Sequence, residues 1–144
     1  MARYRVRIRN NDANLTRLLR SPQGDVYRHV DGIMRQTAHL GRRNIRVDSG
    51  FARGQVYHLV FPYATRMVGR AGSYAHYSAF LDIGTGIYGP TGKPITPKRA
   101  KVLVFVPKGG SVVVFAASVK GIKGDRWLRR AFEAACPYPV RDTI

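Results

Sequence analysis

Two runs in the second half of the chain, KVLVFV (101–106) and SVVVFAASV (111–119), are apolar at odd and even positions alike and flank PKGG (107–110). They are predicted as the strands of a hairpin across that turn. Successive side chains on a strand point to opposite faces, so strands of this kind need cover on both sides. That need limits the whole fold. Only two longer segments carry an amphipathic helical pattern, and two helices cover one face of a small sheet but hardly both. A neighbouring copy of the chain is therefore expected to cover part of the other face.

The first long helical pattern follows Ser21-Pro22, a good helix start with Ser as cap and Pro in the first turn. Val26, Val30, Ile33, Met34, Thr37 and Ala38 form one stripe at helical spacing. Gly32 interrupts it, which suggests a packing reason, and Gly41 is expected to stop the helix. Leu15, Leu18 and Leu19 suggest a short helical turn before it. QVYHLVF (55–61) and ATRMV (64–68) read as strands around Pro62. A final amphipathic helix is expected from Asp125, burying Trp127, Leu128, Ala131, Phe132 and Ala135, with Arg126, Arg129, Arg130 and Glu133 outside.

Residues 3–9 alternate strictly, with Arg3, Arg5, Arg7 and Arg9 on one side and Tyr4, Val6 and Ile8 on the other. They read as a basic N-terminal strand over residues 1–10. The element order implies an α+β domain spanning residues 1–144: a mainly antiparallel sheet packed against a long N-terminal helix and a C-terminal amphipathic helix, with residues 136–144 as a tail.

Charge sets the class of partner. The chain carries 25 Lys and Arg against 8 Asp and Glu, a formal net charge of +17. Self-repulsion at this level points to an anionic partner: nucleic acid, an anionic membrane or an acidic protein surface. The apolar runs are too short to span a bilayer, and MARYRVRIRN lacks the apolar stretch of a signal peptide, so a soluble, intracellular product without a membrane partner is expected. A solvated charged face usually mixes signs. Arg3, Arg5, Arg7 and Arg9 have no interleaved acid, and Arg42, Arg43 and Arg46 have only Asp48 nearby. Both groups are candidate contacts for DNA or an acidic protein.

DIGTGIYGPTGKP (82–94) contains G-x-G-x-x-G at Gly84, Gly86 and Gly89. A dinucleotide site needs a helix to start inside such a loop, because the helix N-terminus holds the pyrophosphate. Pro90, Pro94 and Pro97 forbid one. A Walker A loop fails too, since Lys93 is followed by Pro94. The glycines are read as turn formers. CPYP (136–139) lacks the second cysteine of a dithiol motif, so Cys136 reads as a small residue at a helix end. His29, His39, His58 and His76 never fall at metal-ligand spacing, and the carboxylates are scattered. No catalytic residue, cofactor or metal is expected.

Three separated stretches resemble one family. YSAFLDIGTG (77–86) is similar to the signature of the neck, or tail-completion, proteins of long-tailed bacteriophages, which join the head to the tail. There a Tyr and a small residue, then aromatic and aliphatic positions and an acid, lead into Gly-Thr-Gly. VDSGFAR (47–53) resembles that family's Pro-Val-Asp-Thr-Gly-x-x-Arg segment, and RWLRRAFEAA (126–135) its closing helix. Order and spacing agree over residues 20–135. Asp82 stands where the family usually has Glu, Ser49 where it has Thr, and Arg46 where it has Pro. The N-terminal Arg strand lies outside the pattern.

The resemblance implies a structural virion protein without catalysis, made in the host cytoplasm and assembled as a ring of six copies between head connector and tail. It assigns structural roles to Asp48, Ser49, Gly50, Asp82, Gly84, Thr85 and Gly86, and helix packing to Trp127, Leu128, Ala131 and Phe132. Its partners would be further copies, the adjoining connector and tail proteins, and double-stranded DNA in the channel. Composition alone also accommodates a free-standing basic nucleic-acid-binding module.

Overall fold

The computed structural model describes residues 12–21, 24–63 and 66–141. The expected strand with Arg3, Arg5, Arg7 and Arg9 lies outside the described residues. The protein is a mixed α+β structure. Its elements are α1 (Asp12–Arg20), α2 (Asp25–Asn44), α3 (Phe51–Gly54), β1 (Val56–Pro62), β2 (Met67–Ser73), α4 (Ser78–Ile83), a 3-10 turn (Gly86–Tyr88), β3 (Leu103–Phe105), β4 (Val114–Ala116) and α5 (Trp127–Ala135).

The expected single sheet is instead two separate antiparallel pairs, β1 with β2 and β3 with β4. β1 and β2 pair from Val56 opposite Ser73 to Pro62 opposite Met67, which moves the second strand later than the ATRMV reading. That reading followed the apolar run and overlooked MVGRAGS. The glycines of this strand have a packing role: a Cβ on Gly69 would lie 2.4 Å from Met34 Cγ, because α2 crosses directly over β2.

α2 is the spine, packing against α5, β1 and β2. It starts later than the Ser21-Pro22 signal, at Asp25 with Gly24 as cap, and runs past Gly41 to Asn44. Gly41 is therefore no helix stop. It is buried against the indole of Trp127, whose Cζ3 would sit 3.0 Å from a Cβ there, so the position sets how closely α2 and α5 approach. Gly32 has no packing role, since a Cβ there meets nothing within 4 Å.

The core gathers Ala38 and Ile45 from the region of α2, Ala52 of α3, Val56 of β1, Ala75 and Trp127, with Tyr77, Leu81 and Leu128 packed on it. Trp127 is only 2% exposed. α5 begins at Trp127 instead of Asp125 and buries Trp127, Ala131 and Ala135, while Leu128 and Phe132 are half-buried. Cys136 caps its C-terminal end and is half-buried.

Two substitutions test this packing. Trp127→Ala empties the centre of the core and should cost about 3–5 kcal/mol in urea unfolding. Gly32→Ala adds a methyl in open space within a helix and should stabilise by about 1 kcal/mol. A neutral Trp127→Ala would contradict the packing, as would a destabilising Gly32→Ala.

Candidate functional site

The glycine loop is a structural clasp. Gly84 and Gly86 adopt left-handed φ values of 85° and 63°, and Gly121 one of 91°. Two backbone segments, 83–89 and 119–125, run against each other with no room for side chains between them. A Cβ on Gly86 would lie 2.1 Å from the Lys120 carbonyl oxygen, and one on Gly121 would lie 2.2 Å from that of Thr85. The Thr85 amide donates to Ile122 O at 2.8 Å, the Ile87 amide to Lys120 O at 2.9 Å, and the Ile122 amide returns to Thr85 Oγ1 at 2.9 Å. The amides of Tyr88 and Gly89 are taken by Thr85 O and Gly86 O. These donors, the groups a phosphate would need, are already used within the loop. Sequence reading identified one half of the clasp and missed the other, GIKG at 121–124, which is its signal.

The same loop holds α5. The helix begins after Arg126, which sits at φ 49° and offers no side-chain cap. Asp82 supplies the cap from α4: its Oδ1 accepts the Leu128 amide at 3.0 Å, and its carbonyl accepts the Arg126 amide at 2.9 Å. A carboxylate at this end also suits the partial positive charge of the helix N-terminus. Trp127 Nε1 donates to Ser78 O at 3.3 Å. The short helix α4 thus positions both ends of the contact with α5.

VDSGFAR forms the turn into α3. Gly50 at φ 83° is its N-cap, Ser49 Oγ accepts the Phe51 amide at 3.4 Å, and Phe51 stacks on Tyr77 with centroids 6.4 Å apart. Asp48 reaches away from the core to Lys108 in the PKGG turn, at 2.7 Å. Ser49 and Gly50 thus shape the turn into α3, Asp82, Gly84, Thr85 and Gly86 hold the clasp and α5, and Trp127 sits in the core, while Asp48 lies on the surface.

The arginine cluster does not stay free. Arg42 donates to Val56 O at 2.7 Å, and Arg46 lies 3.6 Å from Asp125, which also holds Arg130. Arg43 is exposed. The acids are committed as well: Asp25 to Arg28, Asp31 to Arg35, Asp48 to Lys108, Glu133 to Arg129, and Asp82 to α5. His58 lies 3.6 Å from Asp31, and His29 bonds the Tyr138 hydroxyl at 3.0 Å. Among the described residues no group of three or more His, Cys, Asp or Glu could hold a metal ion, and no helix is long and apolar enough to cross a membrane.

What remains open is the hairpin. β3 and β4 pair over only three positions, Leu103 to Ala116 through Phe105 to Val114. Val104 is 57% exposed, Phe115 68% and Val112 73%, and Val102, Phe105, Val106 and Val113 are exposed beside them. Among the described residues nothing covers these side chains.

Comparison with protein-family models, with curated proteins and with solved structures finds no match.

Gly86→Ala should destabilise the protein by at least about 2 kcal/mol through left-handed strain and the clash with Lys120 O. Titration calorimetry of the parent with ATP or NAD should give no specific, saturable binding heat that depends on Gly86. A saturable signal lost in a folded Gly86→Ala variant would contradict the clasp.

Proposed function

We propose that this chain is a structural virion protein of a tailed phage, a neck or tail-completion subunit that joins the tail to the head connector. The observation that carries the reading is the hairpin, whose Val104, Val112 and Phe115 stand in solvent in a single copy. A contiguous exposed apolar surface of this kind marks a protein interface. The three family-like stretches supply the second support, since they converge on one core and leave the hairpin to project from it.

The proposed assembly is a closed ring of six copies with heterologous contacts, one face of each subunit meeting a different face of the next. Hairpins of adjacent copies would extend the two-stranded sheets into a larger, mainly antiparallel sheet lying against the helices. In this reading the protein waits in the host cytoplasm and ends in the particle, between connector and tail proteins, with the DNA duplex passing through the ring. Arg3, Arg5, Arg7 and Arg9 would face that duplex or an acidic rim of the next ring. The chain performs no catalysis, consistent with carboxylates engaged as caps and ion pairs.

The test pairs assembly with function. Val104→Asp with Phe115→Asp places charge where the apolar contact would close, and should weaken self-association by about 2 kcal/mol or more, roughly thirtyfold. Circular dichroism should show an unchanged fold, and electron microscopy of phage carrying the variant should show unjoined heads and tails. A variant that assembles and joins particles like the parent would overturn the reading.

A further inference from the structure

Every lysine of the chain lies between residues 93 and 123, and no Asp or Glu occurs between Asp82 and Asp125. The cations of the rest of the chain are all Arg, and all eight acids lie there with them. The clasp and hairpin therefore form an acid-free lobe. Lys108 alone among its lysines has a carboxylate, Asp48, among the described residues. Lys93, Lys98, Arg99, Lys101, Lys120 and Lys123 are exposed.

Backbone pairing links segments that carry these six side chains. Ile95 and Val119 exchange both backbone hydrogen bonds, at 2.9 and 3.0 Å, tying the segment around Ile95 to the one that precedes Lys120. Gly84 bridges Lys123 in the clasp. Pro90, Pro94 and Pro97 restrict the backbone of the loop that carries Lys93 and Lys98.

We propose that this lysine belt binds the phosphodiester backbone of double-stranded nucleic acid. Lys acts as a point charge towards phosphate. The span between Asp82 and Asp125 has no Asn, Gln or His and only one Arg, so beyond its lysines and a few Ser and Thr it has little with which to read base edges. Recognition is therefore of charge and not of sequence. The belt is a second candidate beside Arg42, Arg43 and Arg46, of which Arg42 donates to Val56 O and Arg46 lies 3.6 Å from Asp125. The inference is independent of the ring and is tested on the free chain.

The measurement is fluorescence anisotropy of two labelled DNA duplexes of unrelated sequence across a salt series. One variant carries Lys93→Gln, Lys98→Gln, Arg99→Gln, Lys101→Gln, Lys120→Gln and Lys123→Gln. A control of equal net charge carries Arg17→Gln, Arg28→Gln, Arg35→Gln, Arg53→Gln, Arg66→Gln and Arg70→Gln. Circular dichroism checks both folds. The parent should bind both duplexes alike. The belt variant should lose affinity about tenfold or more and flatten the log–log salt slope by about 0.9 for each phosphate released, while the control keeps the larger part of both. Equal losses in the two variants would reduce the effect to net charge and overturn the proposal. So would an unaffected belt variant, a parent that binds no duplex, or a parent that binds polyglutamate as tightly as DNA.

Discussion

The fold depends on the seat of one indole. Trp127 lies between α2, where Gly41 removes the side chain that would block it, and α4, where the Ser78 carbonyl accepts its N–H. Asp82, one turn further along α4, holds the start of the helix that carries the indole. Ala38, Ile45, Ala52, Val56 and Ala75 complete the surround with small or branched side chains. A large ring closed in by small neighbours fixes the distance between two helices more sharply than a uniform aliphatic core would. The orientation of α4 follows from it, and with α4 the place where the clasp leaves the body.

Beyond the clasp the chemistry changes. The body holds all of the acids, several of them paired with its arginines, and it contains the buried core. The lobe of residues 83–124 has no acid in its sequence, and it is rich in exposed aliphatic side chains. Long apolar edges are normally a hazard that lysine helps to blunt. Here the lysines flank the hairpin and leave its Val104 and Phe115 open. Such a lobe is suited to meeting other molecules, with apolar contact for protein and positive charge for phosphate. Backbone pairing across Gly86 and Gly121 makes it a fixed projection instead of a loose loop.

Some of this was visible in the residues alone. The spacing of Val30, Met34, Thr37 and Ala38 and of Trp127, Ala131 and Ala135 revealed both packing helices, because a buried stripe has a strict period. The failure of the glycine loop as a nucleotide site followed from three prolines. The apolar hairpin was evident. Other features depend on contacts distant in sequence. α4 is too short for periodicity to distinguish it from a turn, and its purpose becomes clear only when Asp82 meets Leu128. The clasp needs two glycine pairs far apart in the chain. Gly41 resembles a helix stop until Trp127 is placed against it. The arginines at 42 and 46 looked free because their partners, Val56 O and Asp125, arrive from other elements.

The central claim is that residues 103–116 are a subunit interface left open in the single chain. Hydrogen–deuterium exchange tests it most directly, comparing dilute monomer with assembled material, whether formed by the protein alone or recovered from particles. The account predicts fast exchange across this segment in the monomer and strong protection after assembly, with the amides of α5 unchanged because Trp127 is already seated. Exchange across 103–116 that is the same in monomer and assembly would contradict it.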